Sequence, residues 1–120
     1  MKIIKNSLVD FYNVQKKFGY IYSINLKRDI DANGCSEYML DIILCDYPNY
    51  EGCPKLLLHF LEVRDFKLGN IEGMFKLLIH ITDISERQME GIKYKVQEEE
   101  NTSFSFYCNA FEYKILNISP

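Results

Sequence analysis

The side chains of this sequence that could do chemistry are two histidines, four cysteines and a scatter of carboxylates. His59 and His80 stand in apolar runs, so two strands could turn them toward each other with Asp83 or Cys108 completing a metal shell. Two imidazoles are too few ligands, and neither belongs to an HExxH or paired CxxC pattern. They read as packed or solvent-facing histidines, and no metal is expected. Cys35, Cys45, Cys53 and Cys108 fit neither a zinc site nor a small disulfide framework. Cys45 or Cys108 beside a histidine would make a nucleophile, but nothing local marks either thiol as activated. Asp83, Glu86 and Glu90 resemble paired carboxylates for acid and base work, yet on one short turn they read as a solvated face. With no Gly-rich phosphate loop and no GxSxG elbow, the sequence carries no catalytic or cofactor signature, and a non-enzyme without cofactors is expected.

Charge gives the other lead. The net charge is only −3, but its distribution is uneven. Lys2, Lys5, Lys16, Lys17, Lys27 and Arg28 gather at the start, opposed up to Arg28 only by Asp10. The remainder carries an acidic excess, which disfavours nucleic acid as a partner because phosphate binding needs clustered Lys and Arg. The run Glu98, Glu99 and Glu100 reads either as a solubilising hairpin tip or as an acidic feature that docks a basic protein. The candidate partner contacts are therefore Asp83, Glu86, Glu90, Glu98, Glu99 and Glu100.

These residues need a scaffold. At 120 residues, 48% hydrophobic and 26% charged, the chain is expected to fold as one domain, 1–120, around a single core. Nine Tyr and eight Phe favour pleated sheet surfaces. Met1 to Leu8 lacks the apolar run of a signal peptide and no stretch approaches a membrane span, so a cytosolic chain with reduced thiols and no membrane partner is expected.

In order, Asn6 or Ser7 caps a helix with Leu8, Phe11, Tyr12 and Gln15 at helical spacing, Lys16 and Lys17 in its last turn and Gly19 as terminator. From Phe18 the period changes to two. Phe18, Tyr20, Tyr22, Ile24 and Leu26 predict a strand to Arg28, and Asp31 to Gly34 a turn into a second strand, Glu37 to Asp46. Pro48, Gly52 and Pro54 mark a loop. Leu56 to Val63 reads as a central strand covered on both faces, extended past a bulge with Phe66 and Leu68 turned inward. The stretch from Phe75 to Ile115 then reads as strands in series: Phe75 to Ile81, Ile92 to Gln97, and Phe104 to Cys108. A capping-box turn at Ser85 and Gln88 interrupts it, and a bulge near Asn109 and Ala110 shifts the parity before Phe111, Tyr113 and Ile115. The expected fold is α+β: mainly antiparallel sheet, as two layers or a partly closed barrel, with one N-terminal helix and a short helical turn.

The segments Phe18-Gly19-Tyr20-Ile21-Tyr22-Ser23, Leu57-His59-Phe60 with Val63-Arg64-Asp65-Phe66, Ile81-Thr82-Asp83-Ile84 and Phe104-Ser105-Phe106-Tyr107-Cys108 resemble small bacterial immunity proteins of polymorphic-toxin systems. Some such families show Trp-Pro after the Phe-Gly and a His-Asp pair shortly after, where this sequence has Tyr20-Ile21 and Ile24-Asn25, so no functional residue is carried over. The resemblance implies a cytoplasmic protein that neutralises a cognate toxin by binding it, which needs no catalytic constellation. The alternative from the residues is a small-ligand-binding β domain, with inward Tyr and Phe side chains lining a cavity. A third, an unrecognised hydrolase or metal enzyme, requires His59 and His80 to converge with a carboxylate.

Overall fold

The computed structural model describes residues 3–5, 8–30, 32, 34, 36–47, 52–69, 71, 76–87, 92–99 and 103–116. Asn6, Ser7, Cys35, Phe75, Gln88, Glu90, Glu100 and Asn101 lie outside them. The elements run β1 (Ile3–Lys5), α1 (Leu8–Gln15), β2 (Tyr20–Ile30), β3 (Ser36–Cys45), β4 (Lys55–Leu68), β5 (Ile79–Asp83), a 3₁₀ turn (Ser85–Arg87), β6 (Tyr94–Glu98), β7 (Phe104–Cys108) and β8 (Ala110–Leu116). All pairings are antiparallel. The expected α+β architecture is borne out as an open sheet with one helix, not as a closed barrel.

The sheet is organised by β4. Its first half lies between β3 and β8, with Leu58 opposite Ile42 on one side and Tyr113 on the other. Its second half turns to pair with β7, which leads through β6 to β5. β7 and β8 are in effect one strand following β4 along its whole length. Lys55 faces Leu116, Leu61 faces Ala110 and Arg64 faces Tyr107, while Asn109 N–H bonds Leu61 C=O at 3.0 Å. Both long strands break together. Buried positions run Leu56, Leu58, Phe60 and then Val63 on β4, and Phe104, Phe106, Cys108 and then Phe111, Tyr113 on the partner. Each break flips the parity, so both halves of the bent ribbon keep apolar side chains on one concave face.

That face is filled by interlocked aromatic rings. Phe60 meets Phe106 edge-on at 4.8 Å, Tyr94 meets Phe111 at 5.2 Å, and Phe11 of α1 meets Phe111 and Tyr113 at 6.1 and 5.7 Å. These are the favoured aromatic geometries, adding about 0.5–1.5 kcal/mol per pair beyond burial.

The helix also completes the sheet chemically. Along the outer edge of β5, Tyr12 Oη donates to Ile81 C=O at 2.9 Å and accepts from Ile81 N–H at 3.1 Å. One turn on, Gln15 Nε2 donates to Ile79 C=O at 2.9 Å and its Oε1 accepts from Ile79 N–H at 3.2 Å. Gly19 C=O takes Leu77 N–H at 2.7 Å. Two side chains and one carbonyl thus stand in for the strand that an edge lacks.

Several boundaries differ from expectation. β1 has no sequence signal, being three residues added to β8. Lys16 and Lys17 lie just past α1, which ends in 3₁₀-type bonds from Lys17 N–H to Val14 C=O and Phe18 N–H to Gln15 C=O. Gly19 lies close under the exposed Lys76 stem, which would have to shift for any larger residue, since a Cβ there would stand 2.6 Å from Lys76 Cγ. Leu68 is exposed, because a second kink in β4 at Asp65 redirects the strand end. Tyr22 and Leu26 are exposed as well: β2 bulges between Ile21 and Ser23, and among the described residues it pairs only with β3. The outer faces of β3 and β4 are only half-buried at Met39, Asp41, Ile43, Leu57, His59 and Leu61.

Candidate functional site

The predicted acidic residues fall into three environments. Asp83 closes β5, and its Oδ1 accepts the Ser85 N–H at 2.9 Å and the Ser85 hydroxyl at 2.7 Å. Asp83 therefore caps the start of the 3₁₀ turn, while the expected box partner Gln88 lies outside the described residues. The Ser85 hydroxyl first, then its N–H, hold the Asp83 carboxyl below the ordinary carboxylate range. Glu86 stands beside it, exposed on the turn. Glu99 lies elsewhere: Asp83 pairs with Tyr94 and Ile79 with Glu98, so the two groups sit at opposite ends of the β5–β6 ladder, about 14 Å apart along the strand. There Glu99 is exposed, 3.7 Å from His80 Nδ1.

Glu98 departs from the expected soluble tip. It is the last residue of β6, only 2% exposed. Its Oε2 accepts Leu78 N–H at 3.0 Å and its Oε1 accepts Ser103 N–H at 3.3 Å, tying the entrance of β5 to that of β7. A buried carboxylate bonded to backbone donors is an internal brace.

The histidines are engaged separately. His59 Nδ1 bonds Asp41 Oδ1 on the outer face, with Glu112 in register on its far side. A hollow of about 240 Å³ opens here, lined by Asp41, His59, Glu112 and Lys114 among others. His80 instead stacks on Tyr12 at 6.0 Å. Among the described residues, no group of three or more His, Cys, Asp or Glu side chains is placed to hold a metal ion. Cys45 and Cys108 are free thiols. Burial pushes the Cys108 thiol up to about 12 and also raises Cys45.

A larger groove, about 530 Å³, lies where the far end of the β2–β3 hairpin faces the kinked part of β4. Its apolar lining is Leu26, Tyr38, Val63 and Phe66, and its charged lining is Glu37, Glu62, Asp65 and Arg64. Leu26 pairs with the buried Leu40, and Tyr38 with the buried Val63, so this surface continues the core face out to solvent. The shape comes from the backbone. Glu62 and Asp65 both adopt the left-handed region at φ 54°, an arrangement costing about 1–3 kcal/mol each in a residue with a Cβ. The first of these kinks, at Glu62, lies in the register shift that brings Val63 to the buried side. Arg28 lies over the Tyr38 ring at 4.6 Å and bonds its hydroxyl. Sequence reasoning missed this groove; its trace was the broken alternation Phe60, Val63, Phe66, read as a single bulge.

Fold and surface together define an α+β protein on one bent, open antiparallel sheet, with its polar groups braced at strand ends and in surface grooves. Residues 3–114 match the family model of Immunity protein PIM8, and the chain belongs to that immunity-protein family. Nothing among curated proteins or among solved structures matches it. Among the described residues no helix is long and apolar enough to cross a membrane.

Proposed function

We propose that this protein neutralises a cognate toxin of a bacterial polymorphic-toxin system by binding it directly in the cytoplasm, without catalysing a reaction. The observation that carries the reading is the family match over residues 3–114, since immunity proteins act on a protein toxin. The surface supports it in two ways. The aromatic core and the helix brace make a scaffold able to present side chains without reorganising, which limits the cost of association. Asp83, Glu86 and Glu99 are exposed carboxylates, suited to steering a basic partner. Glu98 is almost fully buried, so the proposed steering rests on the exposed carboxylates.

The test is co-expression with the toxin domain encoded by the adjacent gene. Rescue of growth, with a complex that survives gel filtration at micromolar concentration, is the expected result. A neighbour that is toxic yet neither rescued nor bound would sink the reading.

A further inference from the structure

We infer that the outer edge of β2 pairs with the β2 edge of a second copy of this chain, the two strands running antiparallel about a two-fold axis at Leu26. β2 is the long open edge of the sheet. Its 11 residues pair only with β3 among the described residues. The edge at β5 is occupied by Tyr12 and Gln15, and β1 is only 3 residues long. An edge strand of this length without Pro presents a row of N–H and C=O groups that a further strand can take.

The side chains show the same missing neighbour. On β3, Leu40 and Ile42 are completely buried, yet their β2 partners are not: Leu26 is 39% exposed and Ile24 is half-buried. Ile30, at the end of the strand, is 65% exposed. Burial falls away within one strand spacing because the sheet stops there among the described residues. A strand added beyond β2 would cover Ile24 and Leu26 from the side.

Charge and register select the occupant. A two-fold axis normal to the sheet keeps each face on its own side, so it pairs β2 positions of equal parity. With the axis at Leu26, the stretch from Ser23 to Asp29, which follows the bulge, pairs with itself. Leu26 then stands opposite Leu26, Ile24 opposite Arg28, Asn25 opposite Lys27 and Ser23 opposite Asp29, so no cation directly faces a cation. Arg28 is also drawn back over its own Tyr38 ring at 4.6 Å, which leaves its alkyl stem to pack on Ile24. A basic partner strand, of the kind the exposed carboxylates at Asp83 and Glu86 suit, would instead meet like charge at the exposed Lys27 and Arg28. Self-pairing supplies about six to eight backbone hydrogen bonds, the contact of a small, reversible dimer.

Sedimentation equilibrium of the purified chain tests this without any toxin, so its outcome is separate from that of the toxin-binding reading. A reversible dimer is expected to be populated at about 100 µM, in keeping with a small interface. L26K and L26D each set like charges across the axis and should raise the dimer dissociation constant about tenfold or more. An equimolar mixture of the two should associate again as a heterodimer, because Lys then faces Asp. Leu26 is partly exposed on an edge strand, so both variants should fold, which a thermal scan checks. Amide exchange of the wild-type chain gives a readout free of substitutions: protection between Ser23 and Asp29 should rise with protein concentration. A wild-type chain that stays monomeric at that concentration overturns the pairing, even where β2 variants weaken toxin binding. A dimer that both variants leave intact, variants that do not reassociate on mixing, or β2 protection independent of concentration overturns it as well.

Discussion

Replacing Gln15 by Met probes the edge brace with little change in side-chain bulk. Gln15 is buried and spends its whole amide on Ile79, donating to the carbonyl and accepting from the N–H. Methionine keeps the packing of α1 on the sheet but strands both backbone groups, each costing about 1–3 kcal/mol when buried without a partner. Some water entry along the helix offsets part of this, so the expected loss is about 2–4 kcal/mol in urea unfolding at unchanged m-value. Tyr12→Phe removes the equivalent pair at Ile81 from a half-buried site and should cost about 1–2 kcal/mol. Because the two side chains pin one strand edge, the double variant should lose less than the sum of the single losses. Gln15→Glu is expected to be at least as damaging as Gln15→Met, since a carboxylate would face the Ile79 carbonyl. Amide exchange supplies an independent readout: the Ile79 and Ile81 N–H groups should lose protection before those of β3. A Gln15→Met cost below about 0.5 kcal/mol, within the range of ordinary surface substitutions, would refute the brace.

Three further outcomes follow from the same geometry. Glu98→Gln presents an amide NH₂ to one of two backbone N–H donors, and should destabilise by about 2 kcal/mol or more in urea melts; a neutral effect contradicts the internal brace. Asp83 has a folded pKa below its ordinary 3.8, so its contribution to stability is present above that value and is lost as pH falls through the lower folded one. Ser85→Ala, removing the larger cause, should move the Asp83 NMR titration midpoint back toward 3.8, with the Ser85 N–H retaining part of the shift. In a Cys35→Ser background at pH 8, Cys53 should react first with a thiol reagent and Cys108 last. With its pKa at about 12, on the order of one Cys108 in ten thousand is thiolate, and rapid native-state labelling there would contradict its burial.

The fold was legible wherever one residue's neighbours repeated the same message. Ile24, Leu40, Ile42, Leu58, Phe106 and Phe111 lie in alternating runs and fall on the concave face. The parity break at Asn109 marked the bend between β7 and β8. The acidic run at Glu98 was misleading, because sequence shows a cluster of like charges but not that its first member turns inward to collect N–H groups from Leu78 and Ser103. Gln15 was counted only for its helical spacing, since its partner on β5 is 64 residues away. The groove was hidden for a related reason. It requires left-handed backbone at Glu62 and Asp65, residue types that announce no such conformation, and it joins strand positions such as Leu26 and Phe66 that are distant in the chain. Local periodicity reports which face a side chain takes, and sheet curvature decides which faces meet.

Direct, non-catalytic binding of a toxin is decided by titration calorimetry of the intact chain into the adjacent-gene toxin domain, alongside toxin activity at the same molar ratios. Saturation at a fixed stoichiometry is expected, with activity falling in step with occupancy and returning when the complex is separated. Inhibition at far less than stoichiometric amounts, or a toxin left permanently altered after separation, would contradict it.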